Sequence, residues 1–347
     1  MNFNIHDLLY LKISGGNRRY LDYLRKEYSF FETEEKINPD IEVVITDSIH
    51  DDTDSRLINN RYFIRDGHLH SRDRYKVVRW SFSIDDLEGR PTVHFSGGIW
   101  GEHILKDFII EPLIGFKLAT KGFSILHASA IAINDAGFLF TGGPGSGKTA
   151  SLLSLNNDNN VFLSDEITLL SSEGVIYSFP LPIRIYYHNL KAKTLASGKI
   201  TARQKLEAIL KHYLYLLSLG YVKFALSIDA DKLFERTGGI YPLHRLFSLT
   251  RTMDKAINVT EISDKKALVE RLALVNERQF PRWGKYVSAY SSVFPSSQLA
   301  TYPRLMRAHL SSALDKVTCY EIKAPYRFEA RHRDKFRQII QTLGKGN

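Results

Sequence analysis

Cysteine is almost absent: Cys319 is the only one in 347 residues. One thiol cannot form an intramolecular disulfide, and no cysteine-based zinc site can assemble within one chain. Long apolar runs are missing too. No stretch approaches the roughly 20 residues that a membrane-spanning helix needs, so no membrane association is expected. The first residues, Met1-Asn2-Phe3-Asn4-Ile5-His6-Asp7, lack the basic n-region and clean apolar h-region of a signal peptide. Together with the cysteine count this makes a cytoplasmic location the expectation. There is no internal repeat and no long low-complexity linker.

What remains is the composition of an ordinary globular protein, 44% hydrophobic and 24% charged, with a length that allows roughly two or three domains. The net charge of +9 favours anionic partners: nucleotide, acidic peptide or nucleic acid. One basic cluster is Arg72-Asp73-Arg74-Tyr75-Lys76 with Arg79. A second comprises Arg327, Arg331, Arg333, Lys335 and Arg337, and Glu329 and Asp334 interleaved with it make it read as an exposed helix face. No nucleic-acid-binding module is visible, so nucleic acid is not the expected partner.

Along the chain, residues 1–34 read as a small helical or mixed start. Strands follow at 41–46, 75–82 and 92–95, with a hairpin across 61–64 and 68–70 turned at Asp66-Gly67. The first hundred residues are therefore expected to be mainly antiparallel β. His68 and His70 share one hairpin face and could pair on a metal, but such a pair reads better as surface polar residues. Residues 103–121 have helical spacing that Pro112 kinks or divides. A strand over 125–133, a turn at 134–137 and a strand over 138–141 form a second hairpin. A helix from Ala150 to Leu155 stops at a run of Asn and Asp. Residues 161–164 form a strand that 167–170 continues, 175–179 returns, and 181–185 is extended. Residues 201–219 form an amphipathic helix whose stripe, including Leu206, Leu210, Tyr213 and Leu217, is expected to pack inward. A strand at 221–228, a further strand at 246–249, helices at 264–276 and at 303–314 (opened by Pro303), a strand at 317–322 and a last helix complete the chain.

The most specific chemistry sits in Gly142-Gly143-Pro144-Gly145-Ser146-Gly147-Lys148-Thr149, which matches G-x-x-x-x-G-K-[ST] at every fixed position. Glycines let the backbone wrap a phosphate with successive N–H groups turned inward, Lys148 is placed to reach the β- and γ-phosphates, and the Thr149 hydroxyl is placed to hold Mg²⁺. Asp165 lies sixteen residues beyond Thr149, separated by one short helix and one strand. A carboxylate at that strand end can hold Mg²⁺ or accept a proton from an attacking hydroxyl; the bland alternative is a turn cap. Glu166 follows directly, and both can serve only if the strand breaks there. His127 precedes the loop by fifteen residues, and the hairpin returns it to the loop end. It can bond the transferring phosphoryl group or orient the acceptor. Arg184 and Arg251 are candidate phosphate or acceptor contacts, with surface ion pairs as the alternative.

Three items together, Leu126-His127-Ala128, then 137–149, then Ser164-Asp165-Glu166, resemble the catalytic domain of HPr kinase/phosphorylase and its relatives, whose fold is related to phosphoenolpyruvate carboxykinase. The resemblance covers 123–170 and is diffuse beyond. It implies that Gly142, Gly143, Pro144, Gly145, Ser146, Gly147, Lys148, Thr149 and Ala150 bind ATP phosphates. It also implies that Thr149 holds Mg²⁺, that Asp165 is the general base and a metal neighbour, and that His127 is a catalytic-site residue. Glu166 stands where the family has a second aspartate and inherits its metal role. Arg184, within Leu181-Pro182-Ile183-Arg184-Ile185, is the counterpart of the arginine in a Glu-Ile-Arg-Gly-Leu-Gly segment; the missing glycines argue against HPr itself as substrate. The pattern is closer to HPr-kinase-like proteins of modified-peptide biosynthesis.

The expected fold is thus an α/β P-loop phosphotransfer domain with a mixed sheet over 101–325, a mainly β region over 1–100 before it and a C-terminal helix over 326–347. The expected activity is ATP- and Mg-dependent phosphorylation of a Ser or Thr hydroxyl on a peptide or protein. The resemblance also allows a homo-oligomer. Two alternatives stay open: a nucleotide-binding regulatory protein with little or no ATPase activity, and a small-molecule or pyrophosphate-dependent kinase or phosphorylase. A motor or switch ATPase is disfavoured by the hairpin entry to the loop, and a carboxykinase by length.

Overall fold

A computed structural model describes residues 1–49, 54–75, 77–186, 201–217, 225–326, 328 and 330–344. The chain is α/β, with two large mixed sheets in two compact units. Met1–Ser124 and Asn276–His309 form the first, and Ile125–Val275 and Leu310–Asn347 the second. Among the described residues no helix is long and apolar enough to cross a membrane.

The first unit is built on a nine-stranded sheet with the order Glu32–Thr33, Asn2–Ile5, Leu9–Gly15, Ile41–Ile45, Thr92–Gly97, Val78–Asp85, His68–Tyr75, Tyr62–Arg65, Arg56–Ile58. Alternating burial along Asn2–Ile5, Leu9–Gly15 and Ile41–Ile45 turns every second side chain into a core. Most pairs are antiparallel, but Ile41–Ile45 runs parallel to both of its neighbours. The segment expected as one strand over 75–82 is instead a hairpin in which Tyr75 pairs with Val78. His68 and His70 are buried rather than surface residues: His68 Nδ1 lies 2.7 Å from Asp85 Oδ1, and the His70 ring packs 5.1 Å from Phe63. Pro112 does not divide its helix: it sits in the first turn of Glu111–Ala119, directly after a π-turn at Lys106–Ile110, and the backbone stays helical across the junction.

The unit boundaries differ from the sequence expectation of 1–100, 101–325 and 326–347. Residues 276–309 belong with the first sheet because Pro281–Val293 packs aromatic side chains on it, Tyr286 lying 4.9 Å from the ring of Phe82 and 5.9 Å from Tyr62. Nothing local in the sequence announces such a long-range pairing. In Gln298–Leu314, Pro303 lies inside the helix rather than opening it. Ser297 caps the true start, its Oγ accepting from Ala300 N–H at 3.1 Å.

The second unit holds a ten-stranded sheet. Its centre is the long strand Ile240–Thr252. The first residues of that strand pair with Val175–Tyr177; further on it runs parallel to Ala136–Thr141 and to Thr318–Pro325. Ala128–Ile133 is antiparallel to Ala136–Thr141 and to Val161–Ser164. The C-terminal ends of Ala136–Thr141, Val161–Ser164, Ile240–Thr252 and Thr318–Pro325 consequently face one way, the edge at which α/β sheets gather ligands. The strands are apolar on both faces and covered on both, as their unbroken burial shows. Phe138, Phe140, Phe247, Leu152, Phe336 and Ile340 share one core, and Phe140 stacks 5.3 Å from Phe247. Each fully buried phenylalanine contributes about 1.5–3 kcal/mol of transfer free energy. Phe336 and Ile340 come from the last helix, Ala330–Gly344, which therefore belongs to this unit; its Arg337 donates to Ser154 O at 2.9–3.0 Å. Arg331 and Lys335 of the same helix are exposed, and Arg327 lies outside the described residues.

The helix Ala202–Leu217 corrects a packing expectation. Its leucine and tyrosine stripe is exposed, with Leu206 at 58%, Tyr213 at 60% and Leu217 at 80%. The face turned inward runs through Ala208, whose small side chain permits close approach, and Lys211 donates to Ala225 O at 3.0 Å. Of the strand expected over 221–228, Leu226–Ile228 is present, and 221–224 lie outside the described residues.

Candidate active site

The register of one hairpin assembles the site. Ala128 pairs with Thr141, so the residue before one strand and the loop after the other occupy the same sheet edge. The expected strand over 125–133 breaks at His127, between Phe123–Leu126 and Ala128–Ile133. Val161–Ser164 runs antiparallel to Ala128–Ile133 and delivers Asp165 to that edge. The expected continuation through 167–170 is a separate strand, Thr168–Ser171, because the backbone turns at Glu166, where φ is +76°.

Asp165 is buried with both carboxylate oxygens engaged. Thr149 Oγ1 donates to Oδ2 at 2.9 Å, and Ser129 Oγ donates to Oδ1. Burial raises the Asp165 pKa above its ordinary value, against the opposing effect of the Ser129 and Thr149 hydrogen bonds and the Lys148 charge. Lys148 is buried too. Its Nζ donates to Gly142 O at 2.8 Å, which leaves two further N–H donors on the ammonium. Burial lowers its pKa, and Asp165 and Glu166 act to raise it.

His127 Nδ1 lies 2.9 Å from Glu166 O. A carbonyl only accepts, so Nδ1 carries the proton and Nε2 is the acceptor of the neutral ring. Burial first, and the neighbouring Lys148 charge second, push the His127 pKa down to about 3. The Glu166 carboxylate is met by Arg184, Oε2 to Nε 3.6 Å. Thr149 and Asp165 thus come together, whereas Glu166 presents its carbonyl to His127 and its carboxylate to Arg184.

Arg251 leaves the same edge from the end of Ile240–Thr252. Its Nη1 donates to Pro325 O at 3.1 Å, its guanidinium lies 4.7 Å from the Phe328 ring, and its other end packs against Gly147. Burial lowers its pKa. This is a stacked, fixed arginine rather than the surface ion pair that the sequence left open.

The loop 142–147 needs its glycines. At Gly142, φ is +146° and a Cβ would stand 2.5 Å from Leu249 O, a backbone atom that cannot give way. Gly142→Ala should therefore destabilise the protein by about 1–3 kcal/mol, as strain at a positive-φ site does, which a chemical denaturation curve measures. Gly147, with φ +100°, leaves the space that Arg251 fills.

The cradle bears on which groups this loop fits. Ser146 Oγ is buried without a hydrogen-bond partner among the described residues. Gly147 precedes the helix Lys148–Ser154, whose first intrahelical bond is donated by Ser151 N–H to Gly147 O, so the N–H groups of Lys148, Thr149 and Ala150 have no helical acceptor. An anion fits these donors. Thr149 Oγ1 and the Asp165 carboxylate are hard oxygen donors of the kind Mg²⁺ takes one or two at a time, with phosphates and waters supplying the rest. A cage of protein ligands alone is not built: among the described residues no group of three or more His, Cys, Asp or Glu could hold a metal ion.

Ser129 was not foreseen. The available signal was a hydroxyl in the otherwise apolar strand Ala128–Ile133, since a fully buried polar side chain requires a partner. Pro325 and Phe328, which hold Arg251, left no signal, because they reach it from a distant part of the chain.

No family model matches the sequence, and no curated protein matches it.

Proposed function

We propose that this protein is an ATP- and Mg-dependent kinase of the HPr-kinase-like type, phosphorylating a Ser or Thr hydroxyl of a peptide or protein. The observation that carries the reading is the 2.9 Å bond from Thr149 Oγ1 to Asp165 Oδ2, which ties the last residue of a phosphate-loop motif to a buried carboxylate returning after a single short helix. A carboxylate whose pKa burial has raised is a better proton acceptor than one at its ordinary value. In this reading Asp165 takes the proton of the acceptor hydroxyl. Lys148, the Ser146 hydroxyl and the loop N–H groups bind the phosphates and stabilise charge on the transferring group. Arg251, fixed against Gly147, adds a second positive charge beside the loop. Thr149 and Asp165 would hold Mg²⁺, which neutralises charge on the phosphates when bound. Of the two roles open to His127, orienting the acceptor is favoured: Nε2 of the neutral ring accepts a hydrogen bond from a hydroxyl and has no proton for a phosphoryl oxygen.

The test is incubation with terminally labelled ATP, Mg²⁺ and a library of Ser- and Thr-containing peptides. Label should appear on peptide hydroxyls and disappear with Lys148→Ala. Label found only as free phosphate, or transfer indifferent to Lys148→Ala, would overturn the kinase reading.

A further inference from the structure

We propose that the outward face of the helix Ala202–Leu217 is a dimer interface, on which the same helix of a second copy of this chain packs antiparallel. Such pairing goes beyond the phosphotransfer reading and does not depend on it.

The helix is amphipathic the wrong way round for a lone chain. Gln204, Ala208, Lys211 and Tyr215 recur at helical spacing and form its buried or half-buried side. At 3.6 residues per turn, Leu206, Leu210, Tyr213 and Leu217 project from the opposite side. They are exposed, Leu210 at 56%, and Ile209 and Leu214 flank them at 36% and 50%. The nearest charges, Glu207 and Lys211, pair with each other at 2.7 Å and stand outside the stripe. Apolar area left in water is unfavourable in proportion to its extent. The six side chains expose on the order of 600 Å², the upper end for an apolar patch on a monomer and approaching the ~800 Å² that each partner gives to a specific interface.

The spacing selects the occupant. Leu206, Leu210, Tyr213 and Leu217 follow one another at four, three and four residues. That is the alternation of a helix seam made to meet a second helix. With Ile209 and Leu214 included, the steps along the stripe are three, one, three, one and three, the same read from either end. A two-fold interface requires one patch to match itself, each contact between two residues occurring twice. This stripe meets that requirement when its copy lies antiparallel: Leu206 meets Leu217 and Leu210 meets Tyr213, at both ends alike. A partner of a different sequence gives no reason for the stripe to be its own reverse.

The experiment is analytical sedimentation of the full chain without nucleotide. Interfaces of this size range from micromolar to picomolar, so a two-copy species is expected at about 10 µM protein. Leu210→Glu and Tyr213→Lys should each weaken association by about tenfold or more, because a charge is then held against an apolar side chain. Mixed in equal amounts, the two variants should pair with each other. Antiparallel packing sets position 210 of one copy against position 213 of the other and so joins opposite charges. Parallel packing sets each position against itself and gains nothing from mixing. Both positions are exposed in the single chain, so the variants keep the fold, which an unchanged circular dichroism spectrum verifies. A chain that stays monomeric at about 100 µM would overturn the proposal, since its own residues or a different protein would then be the occupant. So would association indifferent to Leu210→Glu, or a mixture no more associated than its two components.

Discussion

Asp165→Asn should lower phosphoryl transfer by about 10²–10⁴-fold, the range that a positioned general base supplies. Nucleotide affinity measured without Mg²⁺ should change far less, because the loop donors, Lys148 and Arg251 are untouched. The substitution preserves shape, and the Ser129 and Thr149 hydroxyls can turn to meet the amide. The measurement pairs initial rates of label transfer, using an acceptor found in the peptide screen, with nucleotide binding by calorimetry. A rate near that of the unmodified protein would end the assignment of Asp165 as base. A large loss of nucleotide affinity with little loss of turnover would make the carboxylate a binding group instead.

The second large effect is on stability at acid pH. The His127 pKa is depressed from 6.5 to about 3 by burial and by Lys148. A basic group depressed on folding is neutral in both states above pH 6.5 and contributes no pH dependence there. As pH falls below 6.5 the unfolded chain takes up the proton and the folded chain does not, so stability is lost until the pH reaches about 3. At 1.36 kcal/mol per unit, this amounts to a loss on the order of 3–5 kcal/mol. Asp165 acts in the opposite direction. Its raised pKa lets the folded state gain the proton first, which relieves the cost of its burial as pH falls. Comparison with His127→Gln separates the two, because glutamine keeps a donor for Glu166 O and does not titrate. Urea denaturation of nucleotide-free protein between pH 7 and pH 4 should show a steeper fall for the unmodified chain than for the variant. Parallel slopes would show that His127 titrates near its ordinary value, and the reading of its ring as neutral would fall with it.

The two effects connect through one hairpin. The pairing of Ala128 with Thr141 puts His127 against the loop, and the antiparallel return of Val161–Ser164 puts Asp165 beside Thr149. A one-residue slip in either pairing would turn the alternate side chains to the other face. Ser129→Ala tests a weaker link in the same arrangement, since it leaves one buried carboxylate oxygen of Asp165 without its donor.

Local order was written plainly in the sequence. The octapeptide at 142–149, the Asn-Asp turn at 134–135, the apolar strands on either side and the asparagine run after the helix are features of neighbouring residues. Dihedral preference and short-range hydrogen bonding alone decide them. From these followed the hairpin, the loop and the helix after it, but not the break in the strand at Glu166, because the apolar runs on either side of it read as one continuous strand. Tertiary structure decided which side chains meet. Glu166 and Asp165 are adjacent in sequence, yet a positive φ sends one carboxylate to Arg184 and leaves the other between Ser129 and Thr149. Arg251 is fixed by Pro325 and Phe328, more than seventy residues away. Residues 276–309 join the first sheet through aromatic packing with no local signature, and the leucine stripe of Ala202–Leu217 faces outward despite its helical period. Periodicity specifies that a face is apolar but not what covers it. Burial and long-range pairing depend on surfaces distant in the chain, and those surfaces come together only when the chain has folded.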